Sequence, residues 1–318
     1  MPYLKDETPF ASIVIASYNS AKTIRRCLQS LRELQTARTY ETFVVDSGND
    51  ATADIVRAEF PEVQLIKLAK KTPPGAARNL GIRRARGELL AFIDSDCMAD
   101  PDWLDQIVRS MEEHGVNIVY GALKNGTPWN PVGTTAFYIE FNEFLPGSRR
   151  RFSQIFLGGN LGIRKSVFER HGVYYNDFVA SEDTLLAWEL VQRGEKILFD
   201  PLVRVTHINR TALLPMLRHQ VVLGWYSGRA RRESNLYGRM LLRWRGLCVF
   251  LPAIRWLRAS MRIVKASVWE YVKFLSVMPL YFLASIYWSY GFMKGIQDRP
   301  IPEWYGVNSE PRKRTTAK

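Results

Sequence analysis

Asp94-Ser95-Asp96 is the stretch of this chain most able to do chemistry. Two carboxylates two residues apart follow the apolar run Glu88-Leu89-Leu90-Ala91-Phe92-Ile93. In that position they can share a hard divalent cation and its waters, as Mg²⁺ commonly joins protein carboxylates to substrate phosphates. Asp46 ends a second apolar run, Thr42-Phe43-Val44-Val45, and can accept a hydrogen bond from a base or a ribose. Its competing use is an Asx turn over Ser47-Gly48-Asn49-Asp50. Pro74-Gly75-Ala76-Ala77-Arg78 opens a helix with small residues and one guanidinium. A helix N-terminus plus an arginine suits a diphosphate, and the alternative is close helix–sheet packing with Arg78 in a structural ion pair. Further along come Gly158-Gly159-Asn160, the acidic pair Glu182-Asp183, and His207 just after Val203-Arg204-Val205. A lone histidine is more often structural than ligating.

These groups need a scaffold that brings them together, and the first half of the chain supplies one. Strand-like runs are predicted at 12–16, 42–45, 63–66 and 88–93. Helices are predicted after Ser20, which can cap the first of them, and over 53–59, 76–85 and 103–111, the last started by Pro101. Alternation with short links argues an α/β fold around a mostly parallel central sheet flanked by helices. Ligands of such sheets bind at the carboxyl ends of the strands, where Ser17–Asn19, Asp46–Asp50 and Asp94–Asp96 fall. The middle, 118–207, is less regular. It holds helices at 165–170 and 182–193 and short strands at 196–199 and 203–205.

The 318 residues are 47% apolar and 24% charged, which supports a sizeable core and excludes wholesale disorder. The net charge of +13 is unevenly spread. Residues 204–318 hold 20 Lys/Arg and 5 Asp/Glu, a net of +15, and the rest hold 24 and 26, a net of −2. The pattern is a near-neutral body with a basic appendage rather than a nucleic-acid binder. Cys27, Cys97 and Cys248 are scattered, so no disulfide framework is expected and a reducing compartment is. MPYLKDETPF carries acids and lacks a long apolar core, so no secretory signal is read there. No G-x-G-x-x-G follows a strand and no G-x-x-x-x-G-K-[ST] occurs, which removes dehydrogenase and kinase readings.

The last third changes character, with six of nine Trp and seven of fourteen Tyr after residue 203. Val272–Phe292 has about the length of a bilayer span, with one Lys and Pro279 inside and aromatic residues towards its ends. With its basic flanks it is expected to contact an anionic membrane, either spanning it or lying in its interface. The expected organisation begins with a folded body over 1–230. A helical membrane-associated region over 231–300 and a basic flexible tail over 301–318 follow, and the segment after about Tyr237 is expected to govern location rather than chemistry.

Taken together, the pieces resemble family 2 glycosyltransferases over roughly residues 10–230. Val14-Ile15-Ala16-Ser17-Tyr18-Asn19 is similar to their opening strand and Val44-Val45-Asp46-Ser47-Gly48 to their base-binding strand end. Gly75–Ala85 resembles their A-R-N-x-G-I-x-x-A stretch, and Gly87–Asp96 their G-E-x-x-x-F-x-D-x-D element. Gly158-Gly159-Asn160 and Glu182-Asp183 match the acceptor loop and the base motif. The resemblance implies a Rossmann-like nucleotide-diphospho-sugar transferase fold and an inverting reaction, with 1–230 as the catalytic domain, its donor half to about 115 and its acceptor half over about 116–230. It implies that Ala16 and Tyr18 line the base pocket, that Asp46 contacts base or ribose, and that Arg78 sits near the diphosphate with Asp94 and Ser95. Asp96 would be the main metal ligand for Mg²⁺ or Mn²⁺, helped by Asp94 and, less firmly, His207. Asp183 would be the general base, with Glu182 beside it, and Gly158, Gly159 and Asn160 would face the acceptor. Arg218, His219, Gln220 and Gly224 loosely match a helix that closes over the diphosphate. Three departures bear on the base and ribose contacts: Ala16-Ser17 where a Pro is usual, Ser20-Ala21 where an acid is usual, and Asn49-Asp50 after the Asp46 turn.

The implied partners are a nucleotide-sugar donor, with a UDP-sugar favoured, and a glycan or lipid-linked acceptor, on the cytoplasmic face of the cell membrane and without nucleic acid. The implied setting is cell-envelope polysaccharide biosynthesis. A nucleotidyltransferase of similar fold would lack the Asp183 base, and a degenerate nucleotide-sugar-binding scaffold would not need Asp94, Asp96 and Asp183 together.

Overall fold

The computed structural model describes residues 8–302. Its N-terminal part alternates β1 (Ala11–Ser17), α1 (Ile24–Arg32), β2 (Tyr40–Asp46), α2 (Thr52–Glu59), β3 (Gln64–Lys67), α3 (Pro74–Arg84) and β4 (Leu89–Ile93). β1 and β4 are apolar on both faces, with Ile13, Val14, Ile15 and Leu89–Phe92 inaccessible to solvent. Such runs must be covered on both sides, which parallel strands with crossover helices achieve. The four strands lie in the order β3-β2-β1-β4, all parallel. α1 seals one face with Ile24, Cys27, Leu28 and Leu31, the helical spacing that the sequence displays.

Beyond β4 the sheet becomes mixed. β5 (Cys97–Ala99), α4 (Trp103–His114), β6 (Ile118–Asn125), α5 (Pro131–Phe141), β7 (Arg151–Ser153), β8 (Asn160–Arg164), α6 (Lys165–His171), α7 (Glu182–Gln192) and β9 (Ile197–His207) complete nine strands. β8 runs antiparallel between β4 and β6, while β9 pairs parallel with β6 and antiparallel with β5 and β7. The two strands predicted at 196–199 and 203–205 are one strand. Pro201 interrupts its ladder, and the register with β6 jumps at Gly121/Ala122 to bypass the residue that cannot donate. Ser20 does not cap α1. Its carbonyl closes the turn before Ile24, and its hydroxyl bonds Ser95 at 2.7 Å. Pro101 likewise lies in a turn ahead of α4, which begins at Trp103.

α8 (Leu213–Glu233) leads through two short 3-10 turns to α9 (Leu251–Ala266), α10 (Val268–Ser276) and α11 (Met278–Ile296). The run expected at 272–292 as a bilayer-length segment is therefore broken. Pro279, which cannot sit inside a helix, starts α11 after a 77° bend. Among the described residues, no single helix is long and apolar enough to cross a membrane, and only the bent pair passes by length and composition. The tail at 303–318 lies outside the described residues.

α11 packs on α8 through glycines. A Cβ on Gly291 would overlap the carbonyl of Val221, and one on Gly224 the carbonyl of Trp288. The backbones come this close only because no side chain stands between them. Gly291→Val therefore lowers stability by about 3 kcal/mol or more in urea unfolding, the upper end of overpacking costs.

Candidate active site

The carboxyl ends of β4 and β9, the start of α7 and the loop before β8 enclose a cleft of about 410 Å³. Its walls carry Arg78, Asp94, Asp96, Gly158, Gly159, Glu182, Asp183 and His207. These residues, all singled out in the sequence, thus meet in one place.

Arg78 holds the two sides of the cleft together. Its side chain is 5% exposed; Nη2 donates to Asp94 Oδ1 and Nη1 to Glu182 Oε1, both at 2.7 Å. Burial opposes the charge, but Asp94 and Glu182 outweigh it and hold the guanidinium above its usual pKa. The ring of Tyr175 lies under the guanidinium, 5.5 Å to its centroid. Gly158 and Gly159 leave room for this pair. A Cβ on Gly159 would overlap the Asp94 carboxylate, and one on Gly158 would stand 3.0 Å from Arg78 Cζ.

Asp183 is oriented by backbone. Its Oδ2 accepts from the Gly158 N–H at 3.2 Å and its Oδ1 from the Thr184 N–H at 2.7 Å. Burial pushes its pKa up, and Arg78 and the two N–H groups pull the other way. Glu182 beside it is raised to about 7, by burial first and then by Asp183, with Arg78 as the counterweight. The left-handed Ser181 (φ 64°) turns the chain so that both acids open α7 into the cleft.

Asp96 and His207 face each other on the opposite side, with His207 Nε2 3.6 Å from Asp96 Oδ1. Hydrogen bonding fixes which imidazole nitrogen is available. Asn209 Nδ2 donates to Asn125 Oδ1 and Thr127 Oγ1, both at 2.8 Å, which turns Asn209 Oδ1 towards His207 Nδ1 at 2.9 Å. Nδ1 therefore carries a proton, and Nε2 is the ring nitrogen that faces Asp96. A carboxylate and an imidazole nitrogen aimed at one point fit a divalent cation. Cys97 also lies close, with its thiol pKa pushed well up by burial.

Other expected residues stand elsewhere. Ala16, Tyr18 and Asp46 lie at the ends of β1 and β2, outside the cleft walls. Asp46 is fully buried and paired with Lys67 at 2.6 Å, with Gly48 N–H on its other oxygen, so the Asx turn weighed from sequence exists. Tyr18 is exposed, with Lys71 Nζ 4.7 Å from its ring centroid. Ser95 is buried against Ser20. Asn160, expected at the acceptor, is wholly engaged inside the sheet. Its Oδ1 accepts from Trp103 Nε1 at 2.8 Å, and its Nδ2 donates to the carbonyls of Ala122 and Val203. Its amide anchors the loop that presents Gly158 and Gly159.

The cleft also holds residues that the sequence left unmarked: Glu140 on α5, Arg210, Arg255 on α9 and Trp288 on α11. His219 and Gln220 of α8 line it as well, Gln220 donating to Glu140 at 2.8 Å. Burial keeps His219 neutral by pushing its pKa well down, and Arg210 adds to the effect. Arg255 and Trp288 correct one expectation: the segment after Tyr237 forms part of the cleft wall and does not only set location.

A parallel donor-side sheet, carboxylates at its strand ends and an acidic pair across the cleft define a nucleotide-sugar transferase fold. The chain belongs to glycosyl transferase family 2, whose family model matches residues 12–172, half its length. Glycosyltransferase AglE of Haloferax volcanii is 28% identical over 197 residues, 60% of this chain and 64% of that protein. Succinoglycan biosynthesis protein ExoO of Rhizobium meliloti is 41% identical over 115 residues, 36% of this chain and 33% of that protein. The chain thus spans less than two thirds of the length of either. Mannosyltransferase PcManGT from Pyrobaculum calidifontis, solved in complex with GDP-Man and Mn²⁺, shares the fold, with a TM-score of 0.60 at 18% identity over 93% of this chain and 89% of that one.

Arg78→Gln leaves Glu182 and Asp183 buried without their cation, so their pKa values rise further. A carboxyl raised in this way is stabilising when neutral and costs stability as pH climbs towards its folded pKa. The variant's deficit in urea unfolding is therefore larger at pH 8 than at pH 5. It grows by about 1.4 kcal/mol for each unit by which the Glu182 pKa moves up from about 7.

Proposed function

We propose that this protein transfers a sugar from a nucleotide-diphospho-sugar to an acceptor hydroxyl by one displacement that inverts the anomeric carbon. The observation that carries this reading is that Asp183 and the Asp94/Asp96 pair share one cleft, joined through Arg78 and Glu182. Asp183 is the general base. It is held by the Gly158 and Thr184 N–H groups, and its raised pKa brings it closer to the pH at which it must accept a proton. Glu182 keeps Arg78 in place. Asp96 and His207, with Asp94, would hold Mg²⁺ or Mn²⁺, which when bound supplies positive charge to the leaving diphosphate. Arg78 adds fixed positive charge at the same side, and Gly158-Gly159 forms the acceptor-side wall.

The nucleotide would extend from Asp94 and Ser95 along the strand ends towards Ala16 and Tyr18, with Lys67 moving off Asp46 if that carboxylate reads the base or ribose. UDP-sugars and GDP-sugars are the first donors to test. The acceptor is a glycan or lipid-linked saccharide, a glycan being in keeping with the name of the succinoglycan biosynthesis relative. We place the catalytic unit over 1–230, with its donor half to about 115, and a membrane-facing helical region over 231–300. Ile254, Leu257, Met261 and Val264 form an exposed apolar row on α9 among Arg258, Arg262 and Lys265, a pattern that suits the interface of an anionic cytoplasmic leaflet rather than a span.

Asp183→Asn lowers transfer at least about 100-fold while a thermal shift with nucleotide and Mn²⁺ persists. Surviving activity would remove Asp183 as the base. Nucleotide binding without any transfer in the unmutated protein would instead favour the nucleotide-sugar-binding scaffold. Asn209→Leu frees the His207 ring and weakens Mn²⁺ binding about tenfold, read by electron paramagnetic resonance of the free ion. Unchanged affinity would take His207 out of the metal site.

A further inference from the structure

A second chamber, about 630 Å³, opens beside the cleft and shares Ile139, Glu140, Leu157, Thr184, Arg255 and Trp288 with it. Its size falls in the range of about 300–1,000 Å³ typical of ligand sites. Two features coexist in its lining. One is apolar: Phe156, Leu251, Tyr281 and Phe292 form the inner wall, and Met240, Leu247, Phe250 and Ile254 form an exposed rim. Apolar side chains exposed together at a cavity mouth mark an apolar ligand or a membrane. The other is cationic: Arg231, Arg255, Arg258 and Arg262 all face the space.

These four arginines outnumber the two acids of the lining, Glu140 and Glu143, and the charge of Glu140 reaches Arg255. Among the described residues, only Arg262 has a carboxylate partner, Glu143 at 2.7 Å. Arg231 donates to the carbonyls of Ser227 and Tyr237, Arg255 to the carbonyl of Ile139 with its Nε unpartnered, and Arg258 lies over the Tyr237 ring. Glu140, the other acid in the lining, is taken by Gln220. Burial pushes Arg231 down to about 10, and Arg255 and Arg258 push it the same way, so the folded chain holds positive charge at a cost that an anion would relieve.

We propose that this chamber is the acceptor site and that the acceptor is a saccharide carried on a lipid phosphate. The lipid chain enters over Met240, Phe250 and Ile254, and the phosphate sits on Arg231, Arg255 and Arg258. The sugar passes Thr184 and Trp288 into the cleft. Its hydroxyl there loses its proton to Asp183 as the new bond to the anomeric carbon forms and the bond to the nucleoside diphosphate breaks. The inference rests on the transferase reading and narrows its acceptor from any glycan to a lipid phosphate.

The test uses farnesyl phosphate, farnesol and inorganic phosphate as probes in titration calorimetry with the full chain. Farnesyl phosphate binds, and the alcohol and the free anion each bind at least about tenfold more weakly, since each lacks half of the recognition. Arg258→Gln and Ile254→Trp, which remove one cation and fill the chamber, each weaken farnesyl phosphate about tenfold at unchanged melting temperature. Equal binding of farnesol would overturn the arginine role, and equal binding of phosphate would overturn the apolar one. No farnesyl phosphate binding, or variants that bind as the parent does, would overturn the proposal outright. The nucleotide–Mn²⁺ thermal shift is read separately: its presence without lipid binding keeps the transferase and discards only this acceptor.

Discussion

The Arg78 guanidinium, buried between Asp94 and Glu182, is the interaction on which the site depends. It ties α3, which packs on the first strands of the sheet, to the start of α7, 104 residues later. Without it, three carboxylates would share a poorly solvated cleft with no fixed countercharge. Its fork geometry suits the task, since a lysine could not give one N–H to each acid in fixed directions. The glycines at 158 and 159, the left-handed Ser181 and the Gly158 N–H on Asp183 are all arranged around that guanidinium. The same group that neutralises the acids leaves Asp183 to be oriented by the Gly158 and Thr184 N–H groups and the Thr184 hydroxyl.

The two halves of the sheet divide the labour. The parallel half puts Asp94 at the end of β4. The mixed half uses β9, bent at Pro201, to bring His207 alongside Cys97 on β5 and so opposite Asp96. The Asn125–Thr127–Asn209 amide network then sets the imidazole tautomer from behind. Geometry and protonation are thus fixed by different parts of the chain, one by strand pairing and the other by side-chain hydrogen bonds.

Strands and helices of the first hundred residues were legible because continuous apolar runs and a 3.6-residue apolar period stand between Gly, Asn and Asp turns. Family resemblance supplied the roles of Asp96 and Asp183, and the structure brings those residues to one cleft. Elsewhere the pattern fails for identifiable reasons. α5 is buried from Gly133 to Ile139 without a polar face, so no amphipathic period announces it, and Glu140 at its end stayed hidden. α11 is apolar all round and read as a bilayer segment, because its partner α8 could not be inferred from local sequence. Asn160 looked like a ligand-facing amide, yet its partners Trp103, Ala122 and Val203 come from distant segments. Arg78 was marked as cationic, but long-range pairing with Glu182 leaves no local signature.

The glycine seam between α8 and α11 has a mechanical side. α8 carries His219 and Gln220, and α11 carries Trp288, all in the cleft wall. Backbones in direct contact leave little compliance between them, so any tilt imposed on the outer helices is transmitted to the inner wall almost as a rigid lever. The helices after Glu233 are therefore not an interchangeable tether. Exchanging them for other helices would reshape the cleft whose wall they complete.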